Sequence, residues 1–305
     1  MILRPYGKED FLAVFSLINA CAEADRTRYV TREGLAVSLD SANPEETALI
    51  TAYDGTLYAF AWWAVPAAHV LKVEGWVFPE ARRRGLGKAL MRAAETYAQQ
   101  RLGGAQINTR TYEDLKDAVG LFQSRGYTVN RRFYQMRTEL TADRDFNLPL
   151  PVGITFRAFD RDHLDNLVEA DNEIFSEHWG SYPRSVSEWE KHMFGERQHD
   201  PSLWIIAWHG DQIIGECLCG PSRDGGPQDG WITIVGVRRS WRGRGLGRVL
   251  LAHGMKNLRD HGFKTASLHV DADNDAAVNL YRSLEMDVVR TRLHFGKYIN
   301  ARGGN

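Results

Sequence analysis

Apolar and polar positions along this chain fall into two successive copies of one pattern. The first copy opens with a short strand, Ile2–Pro5, then an amphipathic helix from about Asp10 to Ala24 and a shorter helix over Arg32–Leu39. Strand-like runs follow at Thr47–Tyr53, Leu57–Val65 and Val70–Phe78, with Asp54-Gly55 as the hairpin turn between the first two. A helix then runs to about Arg101, followed by strand Ala105–Arg110, helix Asp114–Arg125 and strand Tyr127–Glu139. The second copy repeats the order. Strand Ile154–Phe159, helix Asp162–Phe175 and a helix near Ser187–Met193 lead to strands Leu203–Trp208, Gln212–Gly220 and Gly230–Val237, with His209-Gly210-Asp211 as a turn. Then come a helix to His261, strand Thr265–Val270, helix Asn274–Leu284 and strand Met286–Lys297. This order predicts an α/β fold of the α+β type, a mixed sheet with helices, built twice in tandem. The polar, proline-punctuated stretch Thr141–Pro151 reads as the connection. The expected division is residues 1–140, a linker at 141–152, and residues 153–300, with Ala301–Asn305 a loose tail.

The two copies agree most closely where the third long strand meets the helix after it. One reads Arg82-Arg83-Arg84-Gly85-Leu86-Gly87 and the other Arg242-Gly243-Arg244-Gly245-Leu246-Gly247, both Arg-x-x-Gly-x-Gly. Glycines at a helix N-terminus let an anion approach consecutive main-chain N–H groups. The charges point the same way. Arg82, Arg83, Arg84 and Lys88 crowd one helix start, and Arg242, Arg244 and Arg248 the other. Cations there oppose the helix dipole, at a cost of roughly 0.3–1 kcal/mol each when exposed. An anionic ligand reverses that sign. An ordinary strand–turn–helix junction explains one Gly-x-Gly; it does not explain two with matching flanks.

Composition narrows the partners. The chain has 305 residues, which fits two domains. Lys plus Arg number 38 against 39 for Asp plus Glu, so nothing favours nucleic acid. No apolar run approaches the ~18–20 residues of a membrane span, and Met1–Pro5 begins no signal peptide. Cys21, Cys217 and Cys219 are odd in number, and the last two are same-face neighbours on a predicted strand. They read as small buried side chains in a reducing, cytoplasmic compartment. No metal is expected: no Cys/His cluster has zinc spacing. Asp271, Asp273 and Asp275 imitate the start of a calcium loop, but Ala276 and Arg282 stand where its Gly and Glu belong.

With both cradles in view, the chain resembles the GCN5-related N-acetyltransferases, in tandem and over nearly its whole length. The second copy adds Asn274-Asp275-Ala276-Ala277-Val278-Asn279-Leu280-Tyr281, similar to that family's Asn-x-x-Ala…Leu-Tyr signature. The resemblance implies a mixed sheet whose fourth and fifth strands splay apart to admit the pantetheine arm of acetyl-coenzyme A. It implies roles as well. Val235 and Val237 offer main-chain groups to the pantetheine amides. Arg242, Gly243, Arg244, Gly245, Leu246 and Gly247 hold the pyrophosphate, and Asn274 contacts the arm. Tyr281 is the general acid at the sulfur. In the first copy Arg82, Gly85 and Gly87 keep the cradle, but Leu115 stands for Asn274 and Phe122 for Tyr281. One working site is therefore expected, in the second copy.

The general base is open. The family often places a Glu on the fourth strand, and the matching residue here is Trp231. Asp229 shares a strand face with it, Glu216 lies on the preceding strand, and His178 follows the first helix of the second copy; each is a candidate, as well as an ordinary structural residue. Trp179 and Trp231 are candidate walls of the acceptor pocket. The segment Asn172-Glu173-Ile174-Phe175-Ser176-Glu177-His178 resembles an Asn-x-x-Phe-x-x-His segment of the mycothiol synthases, tandem members of the family that acetylate a cysteinyl pseudodisaccharide. The expected activity is N-acetylation of a small-molecule amine by acetyl-CoA, by a monomer or homodimer. A non-catalytic coenzyme A sensor is the alternative from another class.

Overall fold

The computed structural model describes residues 1–27, 29–40, 46–179, 181–196, 200–222, 226 and 228–301. The chain divides into two compact units that are not contiguous in sequence. Met1–Tyr134 and Arg290–Asn305 form the first, and Gln135–Val289 the second.

In the first unit the elements are β1 (Ile2–Arg4), α1 (Phe11–Asp25), α2 (Arg32–Asp40), β2 (Thr47–Thr51), β3 (Leu57–Ala67), β4 (Val70–Val77), α3 (Leu86–Arg101), β5 (Gly104–Tyr112), α4 (Lys116–Ser124) and the start of β6 (Thr128–Glu139). The sheet order is β1-β2-β3-β4-β5-β12, where β12 is the last strand of the chain, Asp287–Asn300. Side-chain alternation on β2 sends Leu49 to one face and Ala48 and Ile50 to the other. Leu49 and Phe60 pack with Val14, Leu17 and Ile18 of α1 and Leu35 and Leu39 of α2. Ala48 and Ile50 join Leu86, Leu90, Met91 and Ala94 of α3 and Phe122 of α4.

The second unit holds β7 (Ile154–Arg157), α5 (Leu164–Ile174), α6 (Val186–Glu190), β8 (Trp204–His209), β9 (Gln212–Pro221), β10 (Asp229–Val237), α7 (Leu246–Asp260), β11 (Thr265–Asp271) and α8 (Asp275–Arg282). Its strands run in the order β11-β10-β9-β8-β7. Central β9 is buried on both faces from Ile213 to Gly220, and close approach is built into its neighbours. A Cβ at Gly236 would clash with Ile174 of α5, and one at Gly254 of α7 would clash with Cys217 Sγ. Glu216 and Gly236 are register partners, as are Cys217 and Val235. One sheet face, with Glu216 and Gly236, therefore meets α5, and the other, with Cys217 and Val235, meets α7.

Two findings differ from the sequence reading. The strand read as closing the second copy pairs instead with the first unit, Arg292–Asn300 running antiparallel to Tyr112–Gly104. Leu293, Phe295 and Ile299 fill that unit's core beside Ile107 and Phe122. Arg290 fixes the entry of the strand: its guanidinium donates to Asp114 and to the Asp25 and Arg26 carbonyls, and lies 3.8 Å from the Tyr112 ring centroid. Residues 141–149, expected as a plain linker, are tied along α7. Arg259 donates to the Thr141 and Arg144 carbonyls, His253 Nε2 lies 2.8 Å from the Leu148 carbonyl, and Phe146 is buried under the Arg144 and Arg259 guanidiniums.

Candidate active site

The site begins where two parallel strands part. β10 and β11 pair only at Asp229–Trp231 with Thr265–Ser267. On its other side β10 stays paired with β9 as far as Val237, with a bulge between Ile232 and Ile234. Past Trp231 the β11-facing edge of β10 is open, and main-chain groups along such an edge suit an extended, amide-bearing ligand. The first unit repeats the divergence, with β4 and β5 paired only at Val70–Lys72 and Gln106–Asn108.

The cradle follows. Gly243 and Gly245 both adopt left-handed backbone, φ 76° and 77°, and α7 starts at Leu246. A Cβ at either glycine would meet nothing within 4 Å, so their dihedral angles, rather than crowding, demand glycine. Gly247 serves packing: a Cβ there would stand 3.4 Å from Leu280 of α8. No side chain caps α7, so its first-turn N–H groups suit an anion. In the first unit Gly85 has φ 84°, and Gly87 packs more tightly, its Cβ position 2.9 Å from Leu121.

The arginine that opens each motif bonds back onto the protein. Arg242 donates to the Val237 and Ile174 carbonyls and to Glu177, and Arg82 to the Val77 carbonyl and, through two bonds, to Asp25. Both tie a strand end to the preceding helix. Their guanidiniums are thus engaged by the protein, and what they bring to the cradle is main chain. Val237 likewise has its carbonyl bonded to Arg242, while Arg244 stands exposed over the Trp241 ring at 4.7 Å.

The start of α8 supplies the remaining groups. Asn274 is its N-cap, with Oδ1 accepting from Ala277 N at 3.1 Å. Leu115 holds the same place before α4, at ψ 70° against 73° for Asn274, without a side-chain cap. Tyr281 is buried at 7% exposure. Burial first, and then Cys217, push its phenol well above the ordinary tyrosine range, which keeps it protonated and able to donate. Its counterpart Phe122 packs on Phe295 and Tyr127, ring centroids 5.2 and 6.1 Å away.

The sequence pattern described as the Acetyltransferase (GNAT) family matches residues 11–127 and 164–286. The chain belongs to that family. It is 32% identical to the mycothiol acetyltransferase of Geodermatophilus obscurus over 283 residues, covering 88% of both proteins. Among solved structures it is similar to a GCN5-related N-acetyltransferase from Sphaerobacter thermophilus, at 29% identity and a TM-score of 0.76, covering 98% of this chain and 96% of that one. A tandem GNAT protein of the clavulanic acid pathway shares the fold at 16% identity and a TM-score of 0.75, covering 98% of each. The protein is an N-acetyltransferase of tandem GNAT construction.

The candidates for the base in this GNAT protein fare unequally. Asp229 lies at the closed end of the β10–β11 pair. Its carboxylate accepts from Thr265 Oγ1 at 2.6 Å, Arg137 Nη2 at 3.0 Å and Gly226 N at 2.7 Å, which makes it a structural anchor rather than a base. His178 is exposed in the turn after α5, its ring 5.1 Å from that of Phe175. Phe175 in turn lies 3.5 Å from the Cβ position of Gly236, so His178 stays near the open end of β10. Trp179 is exposed beside it.

Glu216 is fully buried beneath α5. Among the described residues no N–H or O–H donor reaches its carboxyl oxygens or Asp171 Oδ1. The two carboxyls are neighbours, and Trp189 Nε1 donates to Asp171 Oδ2 at 3.2 Å. Burial first, and then Asp171, hold the Glu216 carboxyl well above the usual carboxylate range. The Trp231 ring meets that of His269 of β11 edge-on at 4.8 Å.

Proposed function

We propose that the second unit transfers the acetyl group of acetyl-CoA to the primary amine of a small molecule. The observation that carries this reading is that a glycine cradle and a buried, protonated phenol occur together in that unit, at Gly243–Gly247 and Tyr281. The first unit has the cradle but Phe122 in place of the phenol, and its proposed role is non-catalytic.

In this reading the pyrophosphate rests on the N–H groups opening α7, and the pantetheine lies along the open edge of β10 near Val235 and Val237. Asn274 keeps its carbonyl on the helix cap and offers its amide N–H to the arm. The amine nitrogen attacks the thioester carbonyl carbon. As the C–N bond forms and the C–S bond breaks, the sulfur takes the proton of Tyr281 and a base takes the proton of the amine. A lysine-like amine of pKa ~10.4 at pH 7 lies ~3.4 units from its free-base form, about 4.6 kcal/mol. A base is therefore worth having.

A second reading rests on the curated relatives: the acceptor is that of mycothiol acetylation, a cysteinyl pseudodisaccharide, handled in the cytoplasm. Thiol release from acetyl-CoA across primary amines, that compound included, tests both. Turnover is expected with at least one amine, its product heavier by one acetyl group. Tyr281→Phe is expected to lower turnover by ~10²–10⁴-fold with acetyl-CoA affinity unchanged. Acetyl-CoA binding without thiol release from any amine would favour a coenzyme A sensor.

A further inference from the structure

Each unit carries an asparagine clasp between its first helix and the start of its second. In the second unit Asn172 Nδ2 donates to the Arg184 carbonyl and Arg184 N donates to Asn172 Oδ1, both at 2.9 Å. In the first, Asn19 Nδ2 donates to the Val30 carbonyl at 3.2 Å, and Val30 N to Asn19 Oδ1 at 2.9 Å. A carboxamide offers the donor and the acceptor that a main-chain residue needs, so one side chain pins a residue 12 or 11 positions further on. The residue after each clasp caps the next helix: Thr31 Oγ1 accepts from Gly34 N, and Ser185 Oγ from Glu188 N.

The chain between the clasped points differs in the two units. α1 runs six residues past Asn19, to Asp25, whereas α5 stops at Ile174, two past Asn172. Gly236 admits the chain that leaves α5 there: a Cβ on it would clash with Ile174 and stand 3.5 Å from the Phe175 ring. Counted back from each cradle arginine, the first unit has Trp76 at this place, its ring against those of Phe60 and Trp62. Gly236 lies between Val235 and Val237, so the segment that starts at Phe175 leaves the sheet beside the open edge of β10. Within it Glu177 pairs with Arg239 and Arg242 at 3.1 and 3.3 Å. At its far end the Arg184 guanidinium lies 5.8 Å from the ring centroid of the exposed Tyr182.

We infer that Asn172 is a positioning residue for the amine, on the acetyltransferase reading above. Its clasp holds the segment between Phe175 and Arg184 beside the edge along which the thioester is presented. Without the clasp Glu177 still tethers the start of the segment, but the Tyr182–Arg184 end is released. Amine binding then weakens, while the N–H groups opening α7 keep their hold on the pyrophosphate. Asn19 makes the same two bonds in the unit that lacks the phenol, so it is the matched control.

The experiment compares the full-length wild type with Asn172→Ala, Asn172→Asp and Asn19→Ala. Initial rates are taken at saturating acetyl-CoA against the member of the primary-amine panel that the wild type acetylates fastest. Acetyl-CoA affinity by calorimetry and melting temperature are measured alongside. Asn172→Asp keeps the acceptor for Arg184 N and loses only the donor, so it serves where Asn172→Ala fails to fold. The expected result for Asn172→Ala is a rise in KM for the amine of about tenfold, with kcat within about threefold and acetyl-CoA affinity within about twofold, which marks lost binding rather than lost chemistry. Asn172→Asp should raise KM by about fivefold, and Asn19→Ala should lower the melting temperature with KM unchanged. KM within about twofold of wild type in the folded Asn172 variants, an equal rise in Asn19→Ala, or a matching loss of acetyl-CoA affinity would overturn the inference and leave the acetyltransferase reading standing. A wild type that binds acetyl-CoA yet releases no thiol with any amine would overturn both.

Discussion

Arg83 and Gly243 hold the same place in the two cradles and the same left-handed backbone, φ 64° and φ 76°. Only one of them is the residue that conformation favours. A non-glycine residue in this region is destabilised by roughly 1–2 kcal/mol, while glycine's greater unfolded-state freedom returns ~0.4–1 kcal/mol of that. The Arg83–Asp117 pair is exposed and contributes little. Arg83→Gly is therefore expected to stabilise the first unit by about 0.5–1 kcal/mol. Scanning calorimetry should show its transition rise by a few degrees; a fall would mean that the Arg83 side chain does more than its pairing suggests.

The Glu216–Asp171 pair makes stability depend on pH in an unusual direction. The Glu216 carboxyl is raised in the folded state, chiefly by burial, so the folded protein holds a proton that the unfolded chain releases near pH ~4.3. The stabilisation is complete below that pH and is lost as pH rises toward the raised folded value. Glu216→Gln cannot release the proton. Its melting temperature should fall less than that of the wild type between pH 5 and pH 8. Parallel curves would contradict a raised Glu216 carboxyl in the folded protein.

The interleaved chain path predicts how the protein can be cut. Residues 153–300, the contiguous piece suggested by the sequence, carry Leu293, Phe295 and Ile299 away from the core they fill. They also lack residues 135–140, where Leu140 N bonds the Lys264 carbonyl. A piece spanning 135–289 keeps every residue of its unit. Light scattering should find 153–300 aggregated and 135–289 better dispersed; the reverse order would count against the division.

The elements themselves were legible, because helical and strand periodicities are written into single segments. So was the cradle, because Gly243 and Gly245 need φ values that few other residues tolerate. Neighbours of strands were not. The alternation of Leu293, Phe295 and Ile299 says that one face of β12 is buried, but not against which strand. Charge was misleading in one respect. Arg82 and Arg242 look like anion ligands in sequence, yet each guanidinium donates to the carbonyl at the end of the preceding strand, Val77 or Val237. Asp229 looked like a base for want of any sequence sign of its three donors.

The central claim is that chemistry belongs to the second unit alone. Gly245→Val and Gly85→Val impose the same strain at the same point of the two cradles, φ 77° and φ 84°. Thiol release from acetyl-CoA, measured for both variants with melting temperature alongside, tests it most directly. The account predicts that Gly245→Val loses at least 10²-fold in turnover while Gly85→Val stays within about threefold of wild type. Equal losses in two folded variants would contradict it.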